Sequence, residues 1–146
     1  MEDVYPYASF HFKVSISGLD DTEDYYFQSI SGLDVSMDTE EYAEGGENRF
    51  KHKLPVKTKY SNLILKRGLA GSTGLTDWFK EAMENFNFET RSITIDLLNE
   101  EHEPLITWNV VNAFPVKMTI DSFNAMESKL AIESMEFSYQ YFTRIN

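Results

Sequence analysis

The sequence contains no cysteine and no long apolar run. The absence of cysteine excludes a disulfide framework, a thiolate metal site and a thiol nucleophile, and it is compatible with synthesis in the cytoplasm. The uninterrupted apolar stretches are only a few residues long, whereas a helix needs about 20 apolar residues to cross a bilayer. The first residues, Met1-Glu2-Asp3-Val4, are acidic rather than basic. We therefore expect neither insertion into a membrane nor a classical secretion signal.

Residues suited to catalysis or to ligand binding are also few. The only histidines are His11, His52 and His102, which fall on two strand patterns and one turn, so no nucleophile and base can be paired from the sequence. Acidic clusters at 38–44 and 100–103 lack the regular ligand spacing of a calcium-binding loop. Glycines at 45–46 and 68–71 lack the lysine and the directly following helix of a phosphate-binding loop. The sequence thus predicts no catalytic site, no cofactor and no metal, and we do not expect an enzyme.

Basic residues are a minority among the charged ones. There are 13 Lys and Arg against 24 Asp and Glu, which gives a formal net charge of -11. Such a field repels phosphate backbones and anionic membranes, so direct nucleic-acid binding is not expected. The acidity leaves two interpretations open: it keeps the protein soluble, or it forms a charged surface that faces a particular partner.

What the sequence has is apolar material in short alternating segments. Hydrophobic residues make up 42% and aromatic residues 14% of the 146 residues, enough for a single domain over residues 1–146 with one core. The clearest alternation runs from Phe10 to Ile16 and predicts a strand with one buried face. Further patterns predict a strand from Tyr25 interrupted by a bulge or tight bend at Gly32, and a strand at 63–65. They also predict a hairpin over 93–110, a break of that pairing at 113–115, and a bulge near Glu133–Ser134 in the last strand.

Two other features complete the predicted fold. A helix is predicted over about residues 75–87, because apolar residues recur there at helical spacing: Leu75, Trp78, Phe79, Ala82, Met83 and Phe86. Residues 38–59 predict an extended hairpin arm with an acidic first limb, a Gly45-Gly46 turn and a basic second limb that Pro55 limits. Limbs of opposite charge suit contact with a second copy of the chain; alternatively, the charges pair within the hairpin. The predicted fold class is mainly β: an antiparallel β-barrel or sandwich with one packed helix and an extended arm.

Nearly the whole chain resembles a known family. The similar segments are FQSISGL at 27–33, EYAEGG at 41–46, KLP at 53–55, YSNLILKRG at 60–68, LTDW at 75–78, WNVVNAFP at 108–115 and IESMEF at 132–137. In this order and spacing they resemble the inner tail-tube proteins of contractile phage tails and extracellular contractile injection systems. Compared with this family, the chain has no large insertion and no missing block.

The resemblance implies a structural subunit without enzymatic activity. Its copies would form hexameric rings, and the rings would stack into a hollow tube inside a contractile sheath. The implied partners are further copies of the chain, the sheath protein, baseplate or tube-initiator proteins, and a cargo effector or DNA in the lumen. The chain would be made in the cytoplasm and assembled into a phage tail or a phage-tail-like particle that can be released from the cell.

Two sets of residues are predicted to carry this assembly. Contacts between subunits or rings are expected on the arm and at the basic corner that follows the strand at 63–65: Glu41, Tyr42, Glu44, Gly45, Gly46, Arg49, Lys53, Lys66 and Arg67. Lumen residues are expected on polar strand faces: Ser15, Ser17, Thr94, Asp96, Ser138 and Gln140. Other polar faces suit the lumen or the outer wall equally well.

Three alternatives remain open at this stage. The first is a tube-initiator or terminator ring of the same lineage. The second is the tube protein of type VI secretion, which the motifs at 44–46 and 66–68 disfavour. The third is a monomeric β-barrel that binds a small apolar ligand in a cavity lined by some of its 11 phenylalanines and 8 tyrosines.

Overall fold

The computed structural model describes residues 11–19, 25–43, 45–46, 51–68, 74–121 and 131–145. Within them antiparallel strands dominate and a helix packs against them, which confirms the predicted fold class. The elements are β1 (His11–Ile16), β2 (Tyr25–Phe27), β3 (Ser29–Ser31), β4 (Val35–Tyr42), β5 (His52–Tyr60), β6 (Leu63–Gly68), α1 (Gly74–Glu84), β7 (Arg91–Leu98), β8 (Pro104–Ile120), β9 (Ile132–Ser138) and β10 (Tyr141–Ile145). The described helix is too short to cross a bilayer.

Eight strands form one antiparallel sheet whose two ends meet. The strand order is β2-β1-β7-β8-β9-β6-β3, and β10 pairs with β8. Only Gln28 separates β2 from β3, and its N–H donates a hydrogen bond to the Lys66 carbonyl at 2.8 Å. Because the first and last strands of the order are neighbours in the chain, the sheet curls round into a barrel.

The alternation of apolar residues determines which face of the sheet is buried. The core cluster consists of Val14, Ile16, Phe27, Leu63, Leu65, Leu75, Trp78, Phe79, Ile93, Ile95, Val110, Ala113, Met135 and Phe137. The Phe137 ring contacts the rings of Trp78 and Phe79, with centroids 5.4 and 5.2 Å apart. These aromatic contacts hold α1 against the sheet.

The helix ends earlier than predicted. It stops at Glu84, and the Glu81 carbonyl accepts hydrogen bonds from the N–H groups of both Asn85 and Asn87. The turn requires a left-handed backbone at Phe86, where φ is 53°. Phe86 is 82% exposed and Met83 is 46% exposed, so the predicted apolar stripe is buried only from Leu75 to Ala82.

The break in hairpin pairing predicted at 113–115 is confirmed. β8 runs unbroken through these residues and changes partner there: Ala113 is the last residue paired with β7, and Phe114 is the first paired with β9. A register shift between Pro115 and Lys117 accompanies the change. Proline is tolerated because the ladder is already irregular at this point.

The predicted interruption at Gly32 is confirmed, since β3 ends at Ser31 and Gly32 forms a tight bend after it. The strand pairing also changes earlier, at Gln28. Gly32 has φ 92°, and a Cβ built on it would lie 1.8 Å from the carbonyl oxygen of Asn62. Only glycine fits both the backbone angle and the close approach.

The bulge predicted near Glu133–Ser134 is wrong. β9 pairs with β6 in continuous register from Ile132 to Phe137, and the chain bends after β9, at 139–140. Glu133 points into the core with Met135 and Phe137, because it pairs there with Arg67.

Candidate interaction surfaces

The predicted arm is present as a separate two-stranded sheet of β4 and β5. Its register sets Asp38 opposite Lys57 and Glu41 opposite Lys53. Opposite charges at facing positions attract each other across a strand pair. The register therefore favours charge pairing within the hairpin over charge complementarity between copies.

The second limb of the arm is longer than Pro55 was predicted to allow. β5 runs through Pro55 to Tyr60, so this prediction is wrong. Each strand of a two-stranded sheet has a free edge, where proline is tolerated. The register shifts at the same level, between Asp38 and Thr39, so that Val56 becomes the extra residue of β5.

The arm exposes apolar side chains away from the barrel. Among the described elements, neither β4 nor β5 makes an extensive contact with a barrel element. Its half-exposed apolar residues, 49 to 57% accessible, are Val35, Met37, Leu54 and Val56. A lone two-stranded hairpin is only marginally stable in water. A partner surface that covers these residues would stabilise the arm.

Apart from Arg67, the predicted interface residues divide into three groups. Glu41, Tyr42 and Lys53 lie towards the tip of the arm, where the Tyr42 ring stacks on His52 with centroids 5.0 Å apart; Gly45 and Gly46 form the turn beyond. Lys66 is exposed on the outer face of β6. Glu44 and Arg49 lie outside the described residues.

Arg67 does not lie in an exposed basic corner, as was predicted. It is 7% exposed, and its Nε donates a hydrogen bond to Oε1 of Glu133, itself 2% exposed, at 2.5 Å. The guanidinium also lies over the Phe27 ring, 5.5 Å from its centroid. Its Nη2 is buried and has no hydrogen-bond partner among the described residues. Arg67 is therefore a core residue rather than part of an exposed corner. Sequence patterns could not predict this, because the partner is 66 residues away.

The root of the arm is fixed to the barrel by a group of polar and aromatic contacts. The Tyr139 hydroxyl donates a hydrogen bond to the Gly32 carbonyl at 3.1 Å, and the rings of Tyr139 and Phe142 lie 5.9 and 5.3 Å from that of Tyr60. Burial raises the pKa of Tyr139 to about 12, with smaller contributions from the charges of Asp34 and Tyr60. These contacts restrain the arm where it leaves the barrel.

Three of the predicted lumen residues lie together on one polar face. This face belongs to the part of the sheet formed by β1, β7, β8 and β10, and it lies opposite the buried residues. Thr107 Oγ1 donates a hydrogen bond to Asp96 Oδ1 at 2.7 Å. One row across the four strands consists of Ser15, Thr94, Asn109 and Thr143. A second row begins with Lys13, Asp96 and Thr107.

The other predicted lumen residues are placed differently. Ser17 extends this polar face beyond β1, and its Oγ accepts a hydrogen bond from the Ser92 N–H at 2.9 Å. Gln140 lies in the bend before β10 and accepts a hydrogen bond from Asn112. Ser138 pairs with Phe114 in the other part of the sheet, formed by β8, β9, β6 and β3. The role of all six residues stays a prediction.

β10 forms an edge of the part of the sheet that consists of β1, β7, β8 and β10. Among the described residues it pairs with β8 alone, and Tyr141 and Ile145 are about half exposed. An open strand edge is a template for pairing with another chain.

An open groove of about 540 Å³ lies between α1 and the second half of β8. Its lining residues are Thr76, Phe79, Lys80, Met83, Glu84, Met118 and Ile120. Phe79 is buried at its floor, whereas Met83 and Ile120 are each 46% exposed. The groove is a surface feature and not an internal cavity. Within the described part of the chain, no three His, Asp or Glu side chains are grouped to hold a metal ion.

Comparisons with known proteins agree on one family. Residues 8–143 match the family model described as T4-like virus tail tube protein gp19. No curated protein sequence is similar to the chain. Among solved structures, a chain of the anti-feeding prophage baseplate is 26% identical with a TM-score of 0.86, covering 100% of this chain and 98% of that one.

Two further structures are more similar in sequence. A chain of the sheath–tube complex of PVC, an extracellular contractile injection system, is 35% identical with a TM-score of 0.81, covering 97% of this chain and 93% of that one. A chain of the PVC sheath/tube terminator structure is 36% identical with a TM-score of 0.81, covering 97% and 98%. Hcp1 from Flavobacterium johnsoniae shares the fold alone, at 18% identity and a TM-score of 0.63 over 92% and 94%.

Proposed function

Because the chain belongs to the T4-like virus tail tube protein family, we propose that it is a structural subunit of the inner tube of a contractile injection system or phage tail. Its copies form hexameric rings that stack around a central channel. The observation that carries this proposal is the arm, which stands away from its own barrel with half-exposed apolar residues. A monomer gains nothing from such an arm, whereas a stack of subunits buries it.

The channel wall is the polar face that contains Ser15, Thr94 and Asp96. Ring closure joins the free edge of β10 to a strand of the neighbouring subunit, which satisfies the open edge and makes the wall continuous. Small hydroxyl and amide groups dominate the row from Ser15 to Thr143. Such a wall offers a passing effector or DNA few strong contacts, so cargo moves without being held.

The subunit works mechanically rather than chemically. Solved relatives in this family come from sheath–tube and baseplate structures, and this supports contacts with a sheath and with a baseplate or tube initiator. The chain is synthesised in the cytoplasm and assembled into a phage tail or a phage-tail-like particle that is released. Rigid packing of the aromatic core and a closed sheet resist bending of the tube during sheath contraction.

A ring that starts or terminates the tube is the second candidate. It is favoured by the 36% identity to a chain of the PVC sheath/tube terminator structure. A tube subunit adds rings at both faces, whereas a terminator accepts a ring at one face only. The type VI tube has weaker support, since that likeness is one of fold. A monomeric ligand-binding barrel has none: the described core is packed with side chains, and the groove described above is open to solvent.

Electron microscopy of the purified chain tests the proposal. Negative-stain images and mass photometry at low and moderate salt should contain rings with a central hole, or tubes of stacked rings. Rings that pair once and do not grow would favour the terminator. A chain that stays monomeric, even when sheath and baseplate proteins from the same source are added, would contradict an assembly function.

The arm's charges are tested by a pair of variants. Lys53→Glu sets two carboxylates opposite each other at Glu41 and should weaken stacking. Adding Glu41→Lys restores an opposite-charge pair in reversed order. If the charges act within the hairpin, the double variant recovers tube length in the micrographs. If the double variant does not recover tube length, the charges of Glu41 and Lys53 contact a neighbouring copy directly.

A further inference from the structure

The fold brings together two histidines that are 91 residues apart in the sequence. His11 begins β1, and His102 lies in the turn between β7 and β8. Nε2 of His11 and Nδ1 of His102 are 2.8 Å apart, and the centroids of the two rings are 4.6 Å apart with an angle of 66° between the ring planes. The third histidine of the chain, His52, lies on the arm. Neither member of the pair belongs to the core cluster or to the interface and lumen residues described above.

The turn between β7 and β8 restrains the position of His102. The Asn99 side-chain oxygen accepts hydrogen bonds from the N–H groups of Glu101 and Glu103, each at 2.9 Å. The Asn99 carbonyl accepts a third bond, from the His102 N–H at 3.0 Å. These bonds hold His102 at φ 63°, a left-handed conformation that residues other than glycine seldom adopt. His11 is paired with the last residue of β7, directly before this turn, so the backbone under both rings is fixed.

The spacing of the two ring nitrogens suits joint coordination of one metal ion. An imidazole nitrogen binds a divalent transition metal at about 2.0–2.1 Å, so nitrogens 2.8 Å apart subtend roughly 85–90° at the ion. This is the angle between neighbouring ligands in the tetragonal geometry that Cu²⁺ and Ni²⁺ prefer, whereas tetrahedral Zn²⁺ would separate two nitrogens by about 3.3 Å. A straight N–H···N hydrogen bond would place the ring centroids farther apart than 4.6 Å. The rings are therefore tilted away from the line that joins the nitrogens, as two ligands of an ion beside that line must be.

The surroundings of the pair are accessible and negatively charged. His102 is exposed and His11 is half-buried, so a hydrated ion can reach both rings from solvent. Glu100, Glu101 and Glu103 lie in the same turn and are all exposed. Together with the net charge of -11 on the chain, they attract cations and raise the local cation concentration.

We propose that His11 and His102 form a surface site for Cu²⁺ or Ni²⁺. His11 coordinates the ion through Nε2 and His102 through Nδ1, and each neutral imidazole carries its proton on its other ring nitrogen. Among the residues that the structure describes, no third His, Asp or Glu side chain joins the pair, so water occupies the remaining positions. The bound ion links β1 to the β7–β8 turn. The site does not depend on the proposed tube function, because both ligands belong to one chain.

Electron paramagnetic resonance during a Cu²⁺ titration of the purified full chain at neutral pH tests the site. In the unaltered chain the tightest-bound Cu²⁺ should couple to two imidazole nitrogens. His11→Gln and His102→Asn should each lower the affinity by about 10-fold or more and remove one nitrogen from the coupling. Asparagine is the replacement at 102 because it tolerates the left-handed backbone. The matched control is His52→Gln, which removes the other histidine and should bind Cu²⁺ like the unaltered chain.

The same titrations contain the results that would overturn the site. Equal Cu²⁺ affinity in the unaltered chain and in the double variant His11→Gln/His102→Asn would mean that the ion is held elsewhere. A loss of affinity in only one of the two single variants would also contradict a site that needs both rings. A second readout does not depend on any variant: Cu²⁺ should raise the urea midpoint of the unaltered chain, and a chelator should reverse the rise, because the two ligands are together only in the folded state. An unchanged midpoint at saturating Cu²⁺ would overturn the proposal as well.

Discussion

The buried ion pair between Arg67 and Glu133 gives the sharpest test of the fold. With Arg67 replaced by methionine, the Glu133 side chain stays buried, at 2% exposure, and loses the Nε donor at 2.5 Å. Removing one partner of a buried pair typically costs about 3–5 kcal/mol, because the remaining charge is uncompensated. A domain of this size has roughly 5–15 kcal/mol of stability in total, so Arg67→Met should strongly lower the urea concentration at the unfolding midpoint.

The double variant Arg67→Met/Glu133→Leu should behave differently. It removes both charges and also the buried Nη2 group, which has no hydrogen-bond partner within the described part of the chain. Replacing a whole buried pair with apolar residues of similar size is often neutral or stabilising. We therefore expect its stability to lie within about 1 kcal/mol of the unaltered chain, a recovery of several kcal/mol relative to the single variant.

Urea unfolding followed by tryptophan fluorescence measures these differences. Protein concentration must be held constant, because assembly would add to apparent stability. Lys66→Met is the matched control: it is the neighbouring basic residue, it is exposed, and its replacement should change stability by less than about 0.5 kcal/mol. A loss below about 1 kcal/mol in Arg67→Met would refute the reasoning, as would a double variant that is as unstable as the single one.

Two other predictions concern the arm and its root. Gly32→Ala should lower stability against urea by clearly more than Gly46→Ala. Both glycines have positive φ, but of the two only a Cβ at residue 32 would collide, with the Asn62 carbonyl oxygen at 1.8 Å. Equal losses would mean that the collision is relieved by a backbone shift. The pKa of Tyr139 is raised from 10.0 to about 12 on folding, so between these values the unfolded phenol releases its proton while the folded one keeps it, and stability falls as pH rises. Tyr139→Phe should flatten this part of the stability profile, and an unchanged slope between pH 10 and 12 would contradict the shift.

Much of the barrel follows from local pattern. Alternation of apolar and polar residues predicted β1 and β7, and helical spacing from Leu75 to Ala82 predicted the buried face of α1. These signals work because burial on one side imposes a period of two on a strand and about 3.6 on a helix. Phe86 fits the helical period but lies past the helix end, since the turn at residues 85–87 ends the hydrogen-bonding pattern first.

The misplaced features depend on contacts that are distant in sequence. From the sequence alone Glu133 would be assigned to the surface, because its partner Arg67 is distant in the chain. The break in pairing at 113–115 was predicted, but its cause was not: β8 leaves β7 for β9 there, and β9 is distant in sequence. The predicted interface residues on the arm were chosen for its change of charge along the chain, and their role stays a prediction. The groove between α1 and β8 could not be predicted, because Met83 and Ile120 come together only through tertiary packing.

The charge pattern of the arm has a different meaning once its register is known. Limbs of opposite charge suggest two copies that attract each other, yet Asp38 and Glu41 already face lysines within one hairpin. Exposed pairs of this kind contribute only about 0–1 kcal/mol each, and salt weakens them further. Their more useful effect is on register, because Asp38 faces Lys57 and Glu41 faces Lys53 only when the two strands are aligned as they are. The charges then hold the alignment of the hairpin, and the apolar residues supply most of the binding energy, so stacking should depend only weakly on salt.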